Sequence, residues 1–254
     1  TLSKIIVNSS AASNAVMLGA GYFTPLSGFM GKKDTMSVAE NMVTENGLFW
    51  PIPIINLVKK VGGINIGEEI SLLDPNIDGN PVLALQEVSA IEELSEEEID
   101  YLAKQIFGTN NIEHPGVKNF MSLGNILISG NIKVLNYSYF PIDFPETFST
   151  AQEIRDMFTR KSWSKTVAFQ TRNPMHRAHV EITHLAAKDN DSNLLIHPVV
   201  GMTKPGDVDY FTRVRCYNKI IEKYPNNSAM LSLLPLSMRM AGPREALWHA
   251  LIRK

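Results

Sequence analysis

Apolar positions along the chain follow two rhythms, and the change falls near residue 148. Before it, short apolar or alternating runs recur: IIVN from Ile5, GLFWPIPIINLV from Gly47, EEISLLDP from Glu68, PVLALQEVSAIEEL from Pro81 and NIKVLNY from Asn131. Turn signals separate them at Gly62–Gly63, at 78–80 (DGN) and at 129–131 (SGN). PNIDGNPVLAL, from Pro75, predicts a hairpin. SEEEIDYLAKQIF, Ser95 to Phe107, predicts a helix with a serine cap and three acids in its first turn. A second helix is expected over roughly Lys33 to Asn41. Many short strands with a few helices suit a small, partly closed β-barrel with peripheral helices.

A connector from Tyr139 to Thr150 follows, in which Pro141 and Pro145 are expected to block regular structure. AQEIRDMFTRK, from Ala151, then predicts a helix. From there strands and helices alternate. TVAFQ, LLIHPVV and AMLSLLPL read as strands; RAHVEITHLAAKD, FTRVRCYNKIIEKY and PREALWHALIRK read as helices. The helix from Arg177 places apolar Val180, Ile182, Leu185 and Ala186 near one side. A β-α-β-α-β-α order implies a parallel sheet with right-handed crossovers, and such sheets bind ligands at the carboxyl ends of their strands. The expected division is a β-rich domain over 1–148 and an α/β domain over 149–254.

The first such strand end holds the densest chemistry. VAFQTRNPMHRAH, Val167 to His179, predicts a strand over Thr166 to Phe169, a polar turn over Gln170 to Pro174, and a helix starting at Pro174. His176 and His179 are three residues apart and so share one helix face. Gln170, Arg172 and Asn173 crowd the turn before them. A helix N-terminus carries unpaired N–H groups and partial positive charge, so this set suits a polyanion.

Charge distribution points the same way. The net charge of −2 divides unevenly. Residues 1–148 carry 8 Lys and no Arg against 17 Asp plus Glu, a net of −9; residues 149–254 carry 7 Lys and 9 Arg against 9 acids, a net of +7. Every arginine thus lies in the segment that holds the turn, and arginine grips phosphate and sulfate with a planar fork that lysine lacks. Composition is otherwise that of a globular protein, 44% apolar and 20% charged. No apolar run reaches the roughly 20 residues of a membrane helix, and TLSKIIVNSSAAS lacks a signal peptide's charged start and apolar core. Cys216 cannot form an internal disulfide, which favours a cytoplasmic setting; a buried, inert thiol is expected. No Cys/His set has zinc spacing, and the Gly-Lys-Ser/Thr end of a Walker phosphate loop is missing.

Gln170 to His179 resembles the Gln-Thr-Arg-Asn-Pro-x-His-x-x-His signature of the ATP sulfurylases (sulfate adenylyltransferases) at every specified position. GYFTPLSGFM (Gly21–Met30), LFWPIPI (Leu48–Ile54), HPGV (His114–Val117) and LGNILISGNIKVLN (Leu123–Asn136) resemble that family's PUA-like first domain. MRMAGPREALWHA (Met238–Ala250) resembles a later family segment, with Met240 where Tyr is usual. The resemblance implies a PUA-like barrel followed by a Rossmann-like nucleotidylyltransferase domain. It also implies transfer of AMP from ATP to sulfate, giving adenosine 5′-phosphosulfate and pyrophosphate. Arg172, aided by Gln170, would grip sulfate; Thr171 and Asn173 would complete the catalytic turn; His176 and His179 would bind the ATP phosphates. Lys204, in HPVVGMTKPGD, would meet phosphate or remain a surface lysine. Arg239 and Arg244 sit at another carboxyl strand end, where either one would be placed to face the nucleotide, with capping of its own helix neighbourhood equally open for Arg244. His184 and His249, inside helices without an acidic partner at ligand spacing, and His114 are expected to be structural. Magnesium is expected only with ATP.

The family continues with a further strand and a Gly-Arg-Asp-His-Ala segment that this sequence lacks. A fragment or a truncated domain with weak turnover is therefore expected. Two other classes compete: an adenylyltransferase with a different acceptor, and an RNA-binding module built on the PUA-like part. The −9 charge of that part argues against nucleic acid. A homo-oligomer, and coupling to a pyrophosphatase or an adenylylsulfate kinase, are compatible with the resemblance.

Overall fold

The fold is taken from a computed structural model and is described for residues 2–201 and 208–254. The chain folds as two compact units: Thr1–Tyr139 together with Met238–Lys254, and Phe140–Ser237.

The first unit runs β1 (Ser3–Ile6), α1 (Ser9–Gly19), β2 (Gly28–Phe29), α2 (Lys32–Asn41), β3 (Leu57–Val58), β4 (Glu69–Leu73), β5 (Val82–Glu87), β6 (Ala90–Glu93), α3 (Glu96–Phe107), α4 (Pro115–Ser122) and β7 (Ile126–Val134). The expected hairpin forms: β4 and β5 pair antiparallel around the 74–81 turn. The expected helix forms as α3, where Ser95 and Glu98 cap each other's backbone N–H groups, at 3.2 and 2.8 Å.

Strand β7 is the hub of a seven-stranded mixed sheet of order β1-β4-β5-β7-β2. Its first half pairs with β6 and β3; its second half pairs with β5 and β2. The exchange of partners happens at Gly130, whose φ is +137°. A Cβ there would sit 1.9 Å from the Glu87 carbonyl oxygen, so only glycine fits.

The core of this unit gathers Met17, Phe23, Trp50, Ile52 and Ile54, all buried. The final helix, α9 (Pro243–Arg253), contributes Trp248, which is fully buried with its ring 5.4 Å from Phe23. The 148/149 boundary read from the motifs and the compact units therefore divide the chain differently, because α9 packs with the first unit.

The second unit runs α5 (Phe140–Asp143), α6 (Ala151–Arg160), β8 (Thr166–Phe169), α7 (Arg177–Asp189), β9 (Asn193–Ile196), α8 (Tyr210–Ile221) and β10 (Ala229–Leu231). The three strands form a parallel sheet of order β10-β9-β8. Beyond the regular strands, bridges Val199↔Leu234 and Phe148↔Leu233 extend the parallel pairing.

Several expectations are corrected. The connector is not wholly irregular: Pro141 sits second in α5, where its missing N–H removes no helical hydrogen bond. Helix α7 begins at Arg177, three residues after Pro174. In that helix Ile182 and Leu185 are 58% and 49% exposed, and Thr183 is the residue that is buried. Cys216 is half-buried rather than buried. Among the described residues, no helix is long and apolar enough to cross a membrane.

Candidate active site

The site begins where β8 ends. The His197 N–H donates to the Phe169 carbonyl and the Val199 N–H to the Thr171 carbonyl, both at 2.8 Å. Parallel pairing therefore continues past the strand and holds the start of the turn. Within the turn, the Thr171 hydroxyl donates to the Asn173 carbonyl at 3.1 Å, and the Asn173 N–H donates back to Thr171 Oγ1 at 3.2 Å. This local pair closes the turn as threonines commonly do. Met175 is buried and anchors its far end.

His176 occupies the N-cap of α7 with extended backbone (φ −120°, ψ 178°). Its N–H donates to His179 Nδ1 at 3.3 Å. His179 thus does what Glu or Gln does at the third position of a capping box. With Nδ1 accepting, Nε2 is the His179 nitrogen that can donate to a ligand. The two imidazole rings lie 4.1 Å apart, and Phe169 packs against His179 at 5.7 Å. The delayed helix start leaves both histidines at the helix entrance, where N–H groups and the positive end of the dipole are concentrated.

Gln170, Thr171, Arg172 and His179 are half-buried, whereas Asn173 and His176 are exposed. The structure thus brings Gln170, Thr171, Arg172, Asn173, His176 and His179 into one turn-and-helix-entrance segment. Lys204 lies outside the described residues. Arg239 and Arg244 belong to the first unit: Arg239 donates to Asn14 Oδ1 at 2.6 Å, and Arg244 Nη1 donates to the Val38 and Pro51 carbonyls at 3.1 and 3.3 Å. Arg244 therefore does not cap its own helix. Arg239 is half-buried, and desolvation lowers its guanidinium to about 10 against the opposing pull of Glu245.

His114, His184 and His249 make contacts of a structural kind. His114 caps α4, its Nδ1 accepting from the Val117 N–H at 3.3 Å. His184 packs edge-on to Tyr224 at 4.5 Å. His249 does have an acidic neighbour, contrary to expectation: Glu245 Oε1 lies 3.7 Å from its Nε2, one helical turn away. That distance is too long for a hydrogen bond. Burial and nearby Arg253 win, lowering His249 to about 4.

Two residues that the sequence pattern did not single out support the turn from below. Arg213 Nη1 on α8 donates to the Arg172 carbonyl at 2.7 Å, and the Tyr217 hydroxyl donates to the Asn173 carbonyl at 2.9 Å. Burial pushes the Tyr217 phenol up to about 12, with Arg213 and Thr171 pulling the other way, so it stays a donor. The confinement of every arginine to the second segment was the available signal for Arg213; nothing marked Tyr217.

Among the described residues, no group of three His, Cys, Asp or Glu side chains gathers to hold a metal. The turn offers guanidinium, amide and imidazole rather than the carboxylate oxygens that magnesium prefers.

Comparison with known proteins agrees with this geometry. The PUA-like domain family matches residues 1–137, and the ATP-sulfurylase family matches residues 145–254. A sulfate adenylyltransferase of Alcanivorax borkumensis is 48% identical over the whole chain, which covers 64% of that protein. One from Allochromatium vinosum is 45% identical, again with 64% covered, and one from Schizosaccharomyces pombe 45% identical with 51% covered. The chain therefore spans roughly half to two thirds of the length of these relatives. The solved structure of a hexameric APS kinase from Thiobacillus denitrificans superposes with a TM-score of 0.78 at 26% identity, over 99% of this chain and 45% of that one. The chain thus belongs to the PUA-like domain family over residues 1–137 and matches the ATP-sulfurylase domain family over residues 145–254.

Proposed function

We propose that the protein is a sulfate adenylyltransferase, transferring AMP from ATP to sulfate. A sulfate oxygen attacks the α-phosphorus in line. The new S–O–P link forms as the bond from the α-phosphorus to the bridging oxygen breaks, and pyrophosphate leaves with that electron pair. The protein's task is to hold two anions in line and to neutralise charge on the phosphoryl oxygens.

The observation that carries this reading is the gathering of Gln170, Thr171, Arg172, Asn173, His176 and His179 at one strand end and helix entrance. In it, Arg172 receives sulfate through its fork, with Gln170 as a second donor. Thr171 and Asn173 keep the turn in shape and contact the nucleotide. His176 and His179 donate to the ATP phosphates at the N-terminus of α7, where the helix dipole adds to their effect. Lys204 is assigned to the same phosphates by its family segment. Magnesium enters with ATP, bound to its phosphates. The α/β part is read as a Rossmann-like nucleotidylyltransferase domain over 149–254 and the PUA-like part as a partly closed barrel over 1–148, in a cytoplasmic protein. A pyrophosphatase or an adenylylsulfate kinase that removes product fits the uphill direction of sulfate activation, and self-association is compatible with this reading. No role in nucleic-acid binding is assigned.

The test is acceptor choice in the full-length protein. Pyrophosphate release from MgATP is followed with sulfate, with nicotinamide mononucleotide and with 4′-phosphopantetheine. Release that needs sulfate supports the proposal. Release with another acceptor and none with sulfate replaces it by a different adenylyltransferase.

A further inference from the structure

Arg213 is an unusual residue to find under a polar turn. It is only 5% exposed, and among the described residues no carboxylate pairs with it. Its Nη1 donates to two backbone carbonyls, Arg172 at 2.7 Å and Val199 at 3.4 Å, while its Nε has no partner. A buried cation without a counter-ion is expensive, and a core arginine is normally matched to an acid. Here the compensation comes from carbonyl oxygens of the turn itself.

Tyr217 follows at i+4 on the same face of α8 and holds the next carbonyl, that of Asn173. That carbonyl also accepts from Thr171, so it is held from two sides. Two consecutive peptide groups, Arg172 and Asn173, are therefore clamped by one helix. The Val199 carbonyl ties the same guanidinium to the end of the neighbouring strand. Rotation of either peptide would swing the side chains of Arg172 and Asn173 away from the entrance of α7.

We infer that Arg213 and Tyr217 are positioning residues that fix the Arg172–Asn173 peptides and so aim the anion-binding side chains of the turn. Arg213 also supplies positive potential beneath the turn, which favours an anion bound there. This rests on the turn being the anion site proposed above. The two residues act through the turn: neither is assigned a contact to substrate.

The test uses Arg213→Met, Arg213→Lys and Tyr217→Phe, with two readouts. The first, hydrogen exchange of residues 170–176, does not depend on activity. Arg213→Met is expected to speed exchange of this segment, including the Asn173 amide, roughly tenfold to a hundredfold while β9 and β10 keep their protection. Tyr217→Phe is expected to give a smaller change in the same segment. The second readout is steady-state kinetics of the full-length protein. Loss of aim predicts a fall in kcat of about tenfold to a hundredfold in Arg213→Met, with KM for ATP within about threefold. Arg213→Lys, which keeps the charge but not the fork, is expected to recover KM for sulfate better than kcat.

Unchanged exchange of 170–176 in both Arg213→Met and Tyr217→Phe would overturn the clamp. Faster exchange with unchanged kcat would overturn its role in aiming the turn. Should Arg213→Met fail to fold, Tyr217→Phe and Arg213→Lys carry both measurements. Wild-type protein inactive with sulfate would defeat the proposed reaction, and with it the aiming role, while exchange still reads whether the clamp exists.

Discussion

Lowering the pH should weaken the first unit through His249. This imidazole is 8% exposed, its Nε2 has no hydrogen-bond partner, and burial with nearby Arg253 lowers it from 6.5 to about 4. The unfolded chain takes up the proton near 6.5, whereas the folded chain resists it until about 4. Between those values the unfolded state binds more protons, so stability falls as pH falls. The full effect, reached below about pH 4, is about 3 kcal/mol; at pH 5 it is about 2 kcal/mol relative to pH 8. Other groups titrate in this range, so the reading is a difference between wild type and His249→Gln. Urea melts at half-unit steps from pH 8 to 4.5 supply it. Wild type should lose about 2 kcal/mol more than the variant by pH 5. Parallel pH profiles for the two proteins would refute the claim that His249 is held neutral by burial.

Other expectations concern packing and backbone. Trp248→Ala removes a fully buried ring packed on Phe23 and should cost about 3–5 kcal/mol, lowering Tm by roughly 6–20 °C in a thermal melt; a shift under 2 °C would contradict the packing of α9 in the first unit. Gly130→Ala should prevent normal pairing of β7, because its Cβ would overlap the Glu87 carbonyl oxygen; a melt within 1 °C of wild type would contradict the partner exchange at this residue. Asn14→Ala removes a buried side chain that accepts from the Arg239 guanidinium at 2.6 Å and should destabilise by roughly 1.5–3 kcal/mol in urea; a loss below 0.5 kcal/mol would show that the contact contributes little.

Much of this molecule was legible in its sequence because local patterns and tertiary packing agree. Strand β8 and helix α3 are delimited by sharp changes in polarity and by a serine cap, and both form where the pattern places them. The parallel sheet follows from strand–helix alternation. Other features depend on distant partners that no local pattern carries. Pro174 reads as a helix start, yet the turn is closed by Thr171 and Asn173 and held from α8, so the helix waits until Arg177. Ile182 and Leu185 fall near one side of α7 in the pattern, yet both are about half exposed or more in the fold. Arg239 and Arg244 follow a strand end in the sequence pattern, but nothing local shows that they donate to Asn14, Val38 and Pro51, more than 190 residues away in the chain. The candidate site was visible as a motif, but its support was not. Arg213 and Tyr217 lie on an ordinary helix 40 or more residues beyond the turn, and only the fold shows which carbonyls they hold.

The central claim is that the Gln170–His179 turn binds sulfate and ATP for adenylyl transfer, with Arg172 as the anion grip. The most direct measurement runs the reaction backwards in the full-length protein, from adenosine 5′-phosphosulfate and pyrophosphate to ATP, with luminescent detection. The account predicts ATP formation in wild type and a loss of at least about tenfold in Arg172→Ala, the effect of removing one charge-assisted contact or more. ATP formation at the wild-type rate in a folded Arg172→Ala protein, or none in folded wild type, would contradict it.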